Sequence, residues 1–220
     1  MSKSKSDHVL ALVKAGLNLL PSVGGALASL IGDYVPTHTQ KGIDTALQLL
    51  QEQLERLADR IDAEAINKDE FAELFKSCYL SIIRTHHESK LRAAAGLISN
   101  LLLKEGDRDK LSYTELDHFV RCIENLSIGA LNVLAHAAKL AKQRGGGKLD
   151  SGDVRLDFRD LQTQEPDMSP QLLMGLVGEL NSCNLLHIPQ LPSVRTPGYG
   201  NYPIEFTALG ARFVTRVLEL

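Results

Sequence analysis

The sequence has no tryptophan and few other aromatic residues, since Phe and Tyr together make up only 5% of its 220 residues. Its interior must therefore be built mainly from Leu, Ile, Val and Ala, a mixture that favours helices over sheets. Hydrophobic residues at 44% and charged residues at 23% lie close to the average for globular proteins. These proportions exclude a wholly disordered chain and a protein with many membrane spans.

Cysteine is scarce as well. Cys78, Cys122 and Cys183 are odd in number, far apart and surrounded by apolar neighbours, which is typical of reduced cysteines in a protein core. A cleaved signal peptide is not predicted, because Lys14 and Asn18 interrupt the first apolar run and no A-x-A-type site follows. We therefore expect a cytoplasmic protein in a reducing compartment.

Strong charge and catalytic patterns are also missing. The net charge of -3 gives no global field that would draw the chain toward nucleic acid or anionic lipid. No Ser, Cys or Asp stands in a nucleophile-elbow or redox context, and Gly145-Gly-Gly-Lys148 lacks the flanks of a phosphate-binding loop. Adjacent His86 and His87 point about 100° apart on a helix, so they cannot share one metal unaided. We expect no enzyme and no cofactor.

What the sequence does contain is a long apolar seam. Between residues 39 and 65 apolar positions are separated alternately by four and three residues, which is the spacing of a coiled coil. The seam consists of Ile43, Leu47, Leu50, Leu54, Leu57 and Ile61. Charged residues cover the other faces, so we predict a long amphipathic helix over 39–65 that needs a partner. That partner is either a second copy of the chain or another helix of the same chain.

Residues 1–36 are predicted to form an apolar helical hairpin. Residues 15–32 carry no charge, and this run is just long enough for a membrane span to be considered. Within the run, small residues recur every four positions: Gly24, Ala28 and Gly32. Such spacing lets helices approach closely. It fits either two short helices packed inside a soluble fold, which Pro21 and the glycines favour, or a membrane contact through residues 9–35.

Further helical patterns extend to Arg144, so we predict an N-terminal helical bundle over residues 1–144. The tract Gly145-Gly-Gly147 predicts a linker, and residues 145–168 stay ambiguous between a loop and one short element. Three basic residues near the start of one helix form a candidate patch for an anion or a protein partner: Arg84, Lys90 and Arg92. The alternative for this cluster is a solvated helix junction.

The last part of the chain, residues 169–220, combines helices with a short strand. Ser169-Pro170 is a good helix start, with Ser as cap and Pro at the first helical position. Tyr202-Pro-Ile-Glu-Phe206 alternates like a strand, and Thr207 is placed to cap a final helix. A short apolar run and a turn-rich connection stand between these two helices.

This order of elements resembles the winged helix, in which a two-stranded wing follows the third helix. Leu180 to Leu186 are similar to the frequent exit from that helix, and Phe206-Thr-Ala-Leu-Gly210 is similar to the entry into the helix after the wing. The resemblance extends back to the helix at 126–144. It implies a C-terminal winged-helix-like α+β module, and with the N-terminal helical bundle that the periodicity predicts, we expect a mainly α fold.

A winged helix implies DNA binding, but the charges of this one argue against it. DNA affinity depends on Lys and Arg that neutralise phosphates, and residues 169–184 contain neither. Over 169–220 three basic residues are balanced by three acidic ones. We therefore expect nucleic acid not to be the partner, and a DNA-binding regulator is kept as an alternative function.

The N-terminal part is similar to uncharacterised bacterial helical proteins of the abortive-infection-alpha type. The run Leu20 to Pro36, the seam helix and Arg84-Thr-His-His-Glu-Ser-Lys90 carry this similarity. It implies a bacterial helical protein associated with phage defence and brings no catalytic residues. The function expected is a non-enzymatic protein-interaction or scaffold module, which binds a protein or a second copy through helical surfaces. A membrane-acting effector that uses the small-residue hairpin is the second alternative.

Overall fold

The computed structural model describes residues 40–62, 65, 71, 73–75, 77–78, 87–147, 149, 154–190, 192 and 194–218. Within these residues the chain is mainly helical and contains a small antiparallel sheet of three strands, as the mainly α prediction requires. It divides into two compact units between Glu124 and Asn125. The predicted hairpin with Gly24, Ala28 and Gly32, the alternative membrane contact through 9–35, and Arg84 lie outside the described residues.

The first unit contains three long helices in its described part. They are α1 (Gln40–Arg56), α2 (Glu88–Leu101) and α3 (Tyr113–Asn125), the last of which ends at the division. Helices α1 and α2 pack along each other. Further buried helical residues precede α2: Phe71, Leu74, Phe75 and Cys78.

Helix α1 ends earlier than the apolar spacing predicts. It stops at Arg56 instead of continuing toward residue 65, and a 3-10 turn follows at Ala58–Arg60. Ile61 then forms a β-bridge with Leu103. Backbone hydrogen bonds on both sides of this bridge replace the bonds that further helical turns would make. The 39–65 prediction is therefore correct for the first part of this range and wrong for the second.

The second unit has a helix, a strand, two helices, a strand pair and a final helix in chain order. Its elements are α4 (Ile128–Arg144), β1 (Arg155–Asp157), α5 (Phe158–Gln164), α6 (Pro170–Ser182), β2 (Leu186–His187), β3 (Pro203–Phe206) and α7 (Ala208–Arg212). A 3-10 turn at Tyr199–Asn201 lies between β2 and β3, and a π-helical turn at Phe213–Leu218 extends α7.

Strand β3 is the centre of the sheet, with β1 and β2 antiparallel on its two sides. Leu156 of β1 stands opposite Ile204 of β3, and Leu186 of β2 stands opposite Phe206. Leu156, Ile204 and Leu186 are all buried. The strands are short, but their apolar positions close one side of the core of this unit.

Residues 145–168, for which the sequence predicts a linker or an ambiguous element, belong to the second unit. The glycine tract closes helix α4: the Gly147 N–H donates to the carbonyl of Lys142 at 2.8 Å, and Gly147 has a left-handed φ of 94°. β1 begins at Arg155, and α5 follows it at Phe158. Asp157 and Asp160 form a capping box at the start of α5, each side chain accepting from the other's backbone N–H. The tract is thus a helix terminus, and the chain divides before α4.

Candidate interaction surface

Helix α6 begins as its sequence predicts. The Leu172 N–H donates to Ser169 Oγ at 3.3 Å, and Pro170 occupies the first helical position, where no helical hydrogen bond is lost. The inner side of the helix is apolar and buried: Leu173, Met174, Leu176, Val177 and Leu180. Helix α6 packs against α4, α5 and β2. The residues that remain accessible on α6 are therefore confined to one side.

We call Gln171, Leu172, Gly175 and Ser182 the outer face of α6, because they share one side of the helix and are exposed. Leu172 is 54% exposed, and no other large hydrophobic residue in the described part of the chain is classed as exposed. A Cβ added at Gly175 would meet no atom within 4 Å. The outer face therefore presents an exposed leucine and has open space above Gly175, and it contains no Lys or Arg.

Glu179 is the single charged residue of α6, and its carboxylate is bound within the chain. Its Oε2 accepts from the Ser127 N–H at 2.8 Å, while Ser127 Oγ accepts from the Ala130 N–H at 3.1 Å. Glu179 and Ser127 thus cap the N-terminus of α4 together, where negative charge is favourable. The outer face consequently presents no uncompensated charge to a partner.

Two arginines of the second unit are paired with acids. Arg144 donates to both carboxylate oxygens of Asp160, and its Nη1 also donates to the carbonyl of Arg155 at 3.0 Å. The hydrogen bond from Arg144 lowers the pKa of Asp160 below its usual value, against burial, which raises it. Arg155 Nε lies 3.0 Å from Glu205 Oε1 on the neighbouring strand. The charges of Arg144 and Arg155 are therefore partly neutralised within the chain, without an anionic ligand.

The described part of the connection between β2 and β3 folds back on its own unit. Its 3-10 turn packs against α5, and a Cβ added at Gly200 would lie 3.7 Å from Arg159 Cβ. Gly198 enables the turn with a left-handed φ of 74°, and Pro192 is buried. This segment is therefore attached to α5 and is not extended into solvent.

The apolar seam of α1 lies partly in the interior of the first unit. Leu50 and Leu54 are buried, at 3% and 0% exposure. Leu57 and Ile61 are half-buried beyond the end of the helix, and the side chains of Ile43 and Leu47 lie outside the described part. Ser99 Oγ of α2 donates to Gln53 Oε1 of α1 at 2.5 Å, and both residues are buried. This side of α1 thus meets α2 of the same chain.

Lys90 and Arg92 of the predicted basic patch each have a partner in the first unit. Lys90 Nζ donates to the carbonyl of Glu124 at 3.4 Å, and Arg92 pairs with Glu88 one turn earlier at 2.8 Å. Arg92 and Glu88 are exposed, so solvent screens this pair. The contacts favour the solvated helix junction over a converging anion site.

A cavity of about 290 Å³ lies in the first unit and is lined by both apolar and charged residues. The apolar ones include Phe71, Leu101, Leu111 and Leu116, and the charged ones are Glu105, Asp107 and Lys110. Lys110 Nζ donates to the carbonyl of Leu103 at 2.6 Å and to Glu105 at 2.9 Å. Arg60 donates to both oxygens of Asp107, at 2.8 and 2.6 Å. The charged residues that line the cavity therefore have partners of opposite charge within the chain.

The sequence does not reveal the pairing of Arg60 with the loop beside the cavity, because the two are remote in the chain. Arg60 stands 47 residues before Asp107, and it also donates to Asp109 at 2.7 Å. A charged residue at the end of a predicted amphipathic helix is expected to face solvent. Only the early end of α1 brings Arg60 to the loop after α2.

In the described part of the chain, no three His, Cys, Asp or Glu side chains are grouped so that they could hold a metal ion. Among the helices described, none is long and apolar enough to cross a membrane. Comparisons with family models, curated proteins and solved structures find no match for this chain. The geometry within each unit therefore has to indicate the function, and the outer face of α6 is the feature that does so most directly.

Proposed function

We propose that the chain is a non-enzymatic protein-interaction module, and that its second unit is a winged helix that binds protein and not DNA. The order α4, β1, α5, α6, β2, β3, α7 supports the winged helix. So does the sheet, in which the β2–β3 pair supplies the wing and β1 pairs with the far side of β3. In this arrangement α6 is the third helix, which reads DNA in winged helices that bind it.

The outer face of α6 is the observation that carries the proposal. Base reading needs Arg, Lys, Asn or Gln on the exposed side of the helix, and phosphate binding needs cations beside it. This face offers one such side chain, Gln171, together with Leu172, Gly175 and Ser182. An exposed leucine next to open space matches the apolar centre of a protein interface better than it matches DNA.

The first experiment separates protein binding from DNA binding. We expect the nuclease-treated full chain to give no change in the fluorescence anisotropy of a labelled random duplex at low salt, where phosphate contacts are strongest. Saturable binding that weakens steeply as salt is added would contradict the proposal.

The second experiment tests the outer face directly. Leu172→Asn removes the exposed apolar group, and Gln164→Asn, at an exposed position of α5 outside this face, is the control. Proteins crosslinked to the wild-type chain in an extract of the source cells should be lost with Leu172→Asn and kept with Gln164→Asn. Truncating a hot-spot residue at the centre of an interface costs about 2 kcal/mol or more, which weakens the complex by about thirtyfold or more. Equal capture by both variants would show that this face is not the interface.

The biological role of the chain is also a proposal. Association with bacterial phage defence rests on the abortive-infection resemblance alone, and the membrane-acting alternative rests on residues 9–35. A second copy bound through the α1 seam would need Leu50 and Leu54, which are already buried within the chain, so we propose α6 as the contact surface instead. A monomer in sedimentation velocity with Leu172 intact supports that choice.

A further inference from the structure

The cavity in the first unit has the size of a small organic molecule. Its apolar lining comes from separate segments: Phe71 precedes α2, Leu101 is the last residue of α2, and Leu116 lies on α3. The loop between α2 and α3 forms a further wall. An apolar cavity of about 150 Å³ binds benzene. The volume of about 290 Å³ found here therefore leaves room for a ring with a substituent.

The loop wall is held in place by bonds within the chain. The Lys110 N–H donates to the carbonyl of Asp107 at 3.0 Å, and Arg60 donates to both carboxylate oxygens of Asp107. The side-chain amide of Asn100 bonds to the backbone on both sides of Lys110. Sites for small molecules are usually formed before the ligand arrives. This wall meets that requirement, because its bonds are made by the chain alone.

Lys110 has a hydrogen-bond donor to offer inside the cavity. An ammonium group carries three N–H donors and no acceptor. Two of them have acceptors in the described part of the chain, namely the carbonyl of Leu103 at 2.6 Å and Glu105 Oε1 at 2.9 Å. The Lys110 side chain is only 16% exposed and lines the cavity. An acceptor on a ligand would therefore satisfy the third N–H.

The other side-chain donors in the described lining are already used. Ser112 Oγ donates to Glu115 at 2.8 Å, and the Tyr113 hydroxyl donates to Glu73 at 2.7 Å. Both acceptors are carboxylates, which bind a donor more strongly than a neutral acceptor does. Lys110 is therefore the side chain that a ligand acceptor would meet.

The charges around the cavity favour an uncharged ligand. Glu105 and Asp107 would repel an anion, and Lys110 would repel a cation. Lys110 is paired with Glu105, and Arg60 is paired with Asp107. Since these pairs already compensate the charges, they do not offset the cost of taking a charged group out of water.

We propose that the cavity binds a small, uncharged, mainly apolar molecule with one hydrogen-bond acceptor, such as a carbonyl oxygen, to which Lys110 donates its third N–H. The apolar part of this ligand packs against the apolar lining of Phe71, Leu101 and Leu116. The site lies in the first unit, so it does not depend on protein binding at the outer face of α6. Each of the two proposals can fail without the other.

Acetophenone is the test compound, because it combines a benzene ring with one carbonyl acceptor. Its binding to the full chain is measured by titration with saturation-transfer NMR, beside toluene, benzoate and benzylamine. We expect saturable binding of acetophenone, and binding of toluene that is about tenfold weaker, because toluene lacks the acceptor. Benzoate and benzylamine should also bind at least about tenfold more weakly, because each carries a charge.

Substitutions assign the binding to the cavity. Lys110→Met keeps the length of the side chain without its ammonium group, and Lys139→Met, at an exposed position of α4, is the matched control. Acetophenone should bind to Lys110→Met about as weakly as toluene does, and to Lys139→Met as it binds to the wild type. Retained toluene binding shows that the cavity of Lys110→Met is intact. Leu101→Phe enlarges a half-buried lining residue and should weaken acetophenone and toluene alike.

Four results would overturn the site: no saturable binding of acetophenone, tighter binding of benzoate or benzylamine, acetophenone binding unchanged in Lys110→Met, or acetophenone binding unchanged in Leu101→Phe. Circular dichroism of each variant before titration verifies that it is folded. If Lys110→Met does not fold, the order of the four compounds on the wild type and the effect of Leu101→Phe still decide the proposal.

Discussion

Asn100 illustrates how a single buried side chain organises the first unit. It is 4% exposed at the end of α2, its Nδ2 donates to the carbonyl of Asp109 at 2.9 Å, and its Oδ1 accepts from the Leu111 N–H at 2.9 Å. The loop that carries Asp107 and Asp109 toward Arg60 is thus fastened to α2 by one amide. No periodic pattern in the sequence identifies such a residue.

Replacing the side-chain amide of Asn100 should therefore lower the stability of the protein. Asn100→Leu leaves the Asp109 carbonyl and the Leu111 N–H without their partner, and each buried group left unsatisfied costs about 1–3 kcal/mol. We expect a loss of about 2–4 kcal/mol in the free energy of unfolding, measured by urea denaturation. Asn132→Leu on the exposed side of α4 is the control and should stay within about 0.5 kcal/mol of the wild type. A similar small loss for Asn100→Leu would refute the role given to the amide.

Asp160 provides a pH-dependent test at the same scale. Its pKa is lowered in the folded chain, chiefly by the hydrogen bond from Arg144, so its stabilising effect is present above its unfolded pKa of about 4. That effect is lost as the pH falls through the lower, folded value. Asp160→Asn should therefore destabilise by about 1 kcal/mol at pH 7, since Arg144 is half-exposed, and the difference from the wild type should shrink below about pH 4.

Thermal unfolding across pH 2–7 measures this difference. Asp167→Asn, on the exposed turn after α5, is the matched control and should follow the wild type throughout. A difference for Asp160→Asn that is constant with pH would show that the residue acts through its capping geometry alone.

At the scale of elements, the start of α7 depends on one close approach. A Cβ added at Gly210 would lie 1.8 Å from the backbone oxygen of Leu185, which joins α6 to β2. Thr207 anchors the same turn: its Oγ1 accepts from the Gly210 N–H at 2.8 Å and donates to the carbonyl of Asn184. The Thr207 cap and Gly210 together hold the first turn of α7 against the backbone of Asn184 and Leu185, which precede β2.

Two glycine substitutions should accordingly have opposite effects. Gly210→Ala forces the backbone apart and should destabilise the second unit by about 3 kcal/mol or more. Gly175→Ala fills open space on a helix and should stabilise by about 0.5–1 kcal/mol. Thermal unfolding of both variants measures the contrast. Equal effects at the two positions would contradict the packing described here.

The helices with their own caps were predictable, and the elements fixed by distant contacts were not. Ser169-Pro170 and Thr207 start α6 and α7 as their local chemistry predicts, and the alternation in 202–206 identifies β3. The end of α1 was not predictable, because the apolar spacing continues through Leu57 and Ile61. A 3-10 turn and the bridge from Ile61 to Leu103 take the place of further helical turns.

The outer face of α6 was likewise predictable only in part. The lack of Lys and Arg on α6 is visible in the sequence, and it carries the argument against DNA. Exposure of Leu172 is not visible, because its neighbours Leu173, Leu176 and Val177 share its apolar character. Which leucine of an apolar helix faces solvent is decided by the other elements that pack on it.

At the scale of the whole molecule, the division between Glu124 and Asn125 predicts a second unit that folds alone. Residues 125–220 contain their own buried core, including Val177, Leu180, Ile204 and Phe213, and they keep both the Ser127 cap and Glu179. A fragment of these residues should show helical circular dichroism and cooperative thermal unfolding. The negative control is a fragment of residues 125–168, which lacks α6 and the β2–β3 pair. Loss of cooperativity in the longer fragment would show that the unit depends on the first one.

The bond between Glu179 and Ser127 couples two places that are remote in sequence. Glu179 lies one turn beyond Gly175 on α6, while Ser127 holds the opening turn of α4 just after the chain divides. A ligand that displaces this carboxylate on docking frays that turn, and a ligand that leaves it in place does not. By reciprocity, loosening the opening turn alters the affinity of any such ligand. Amide hydrogen exchange at Ala130 would therefore report from a distance whether α6 is occupied.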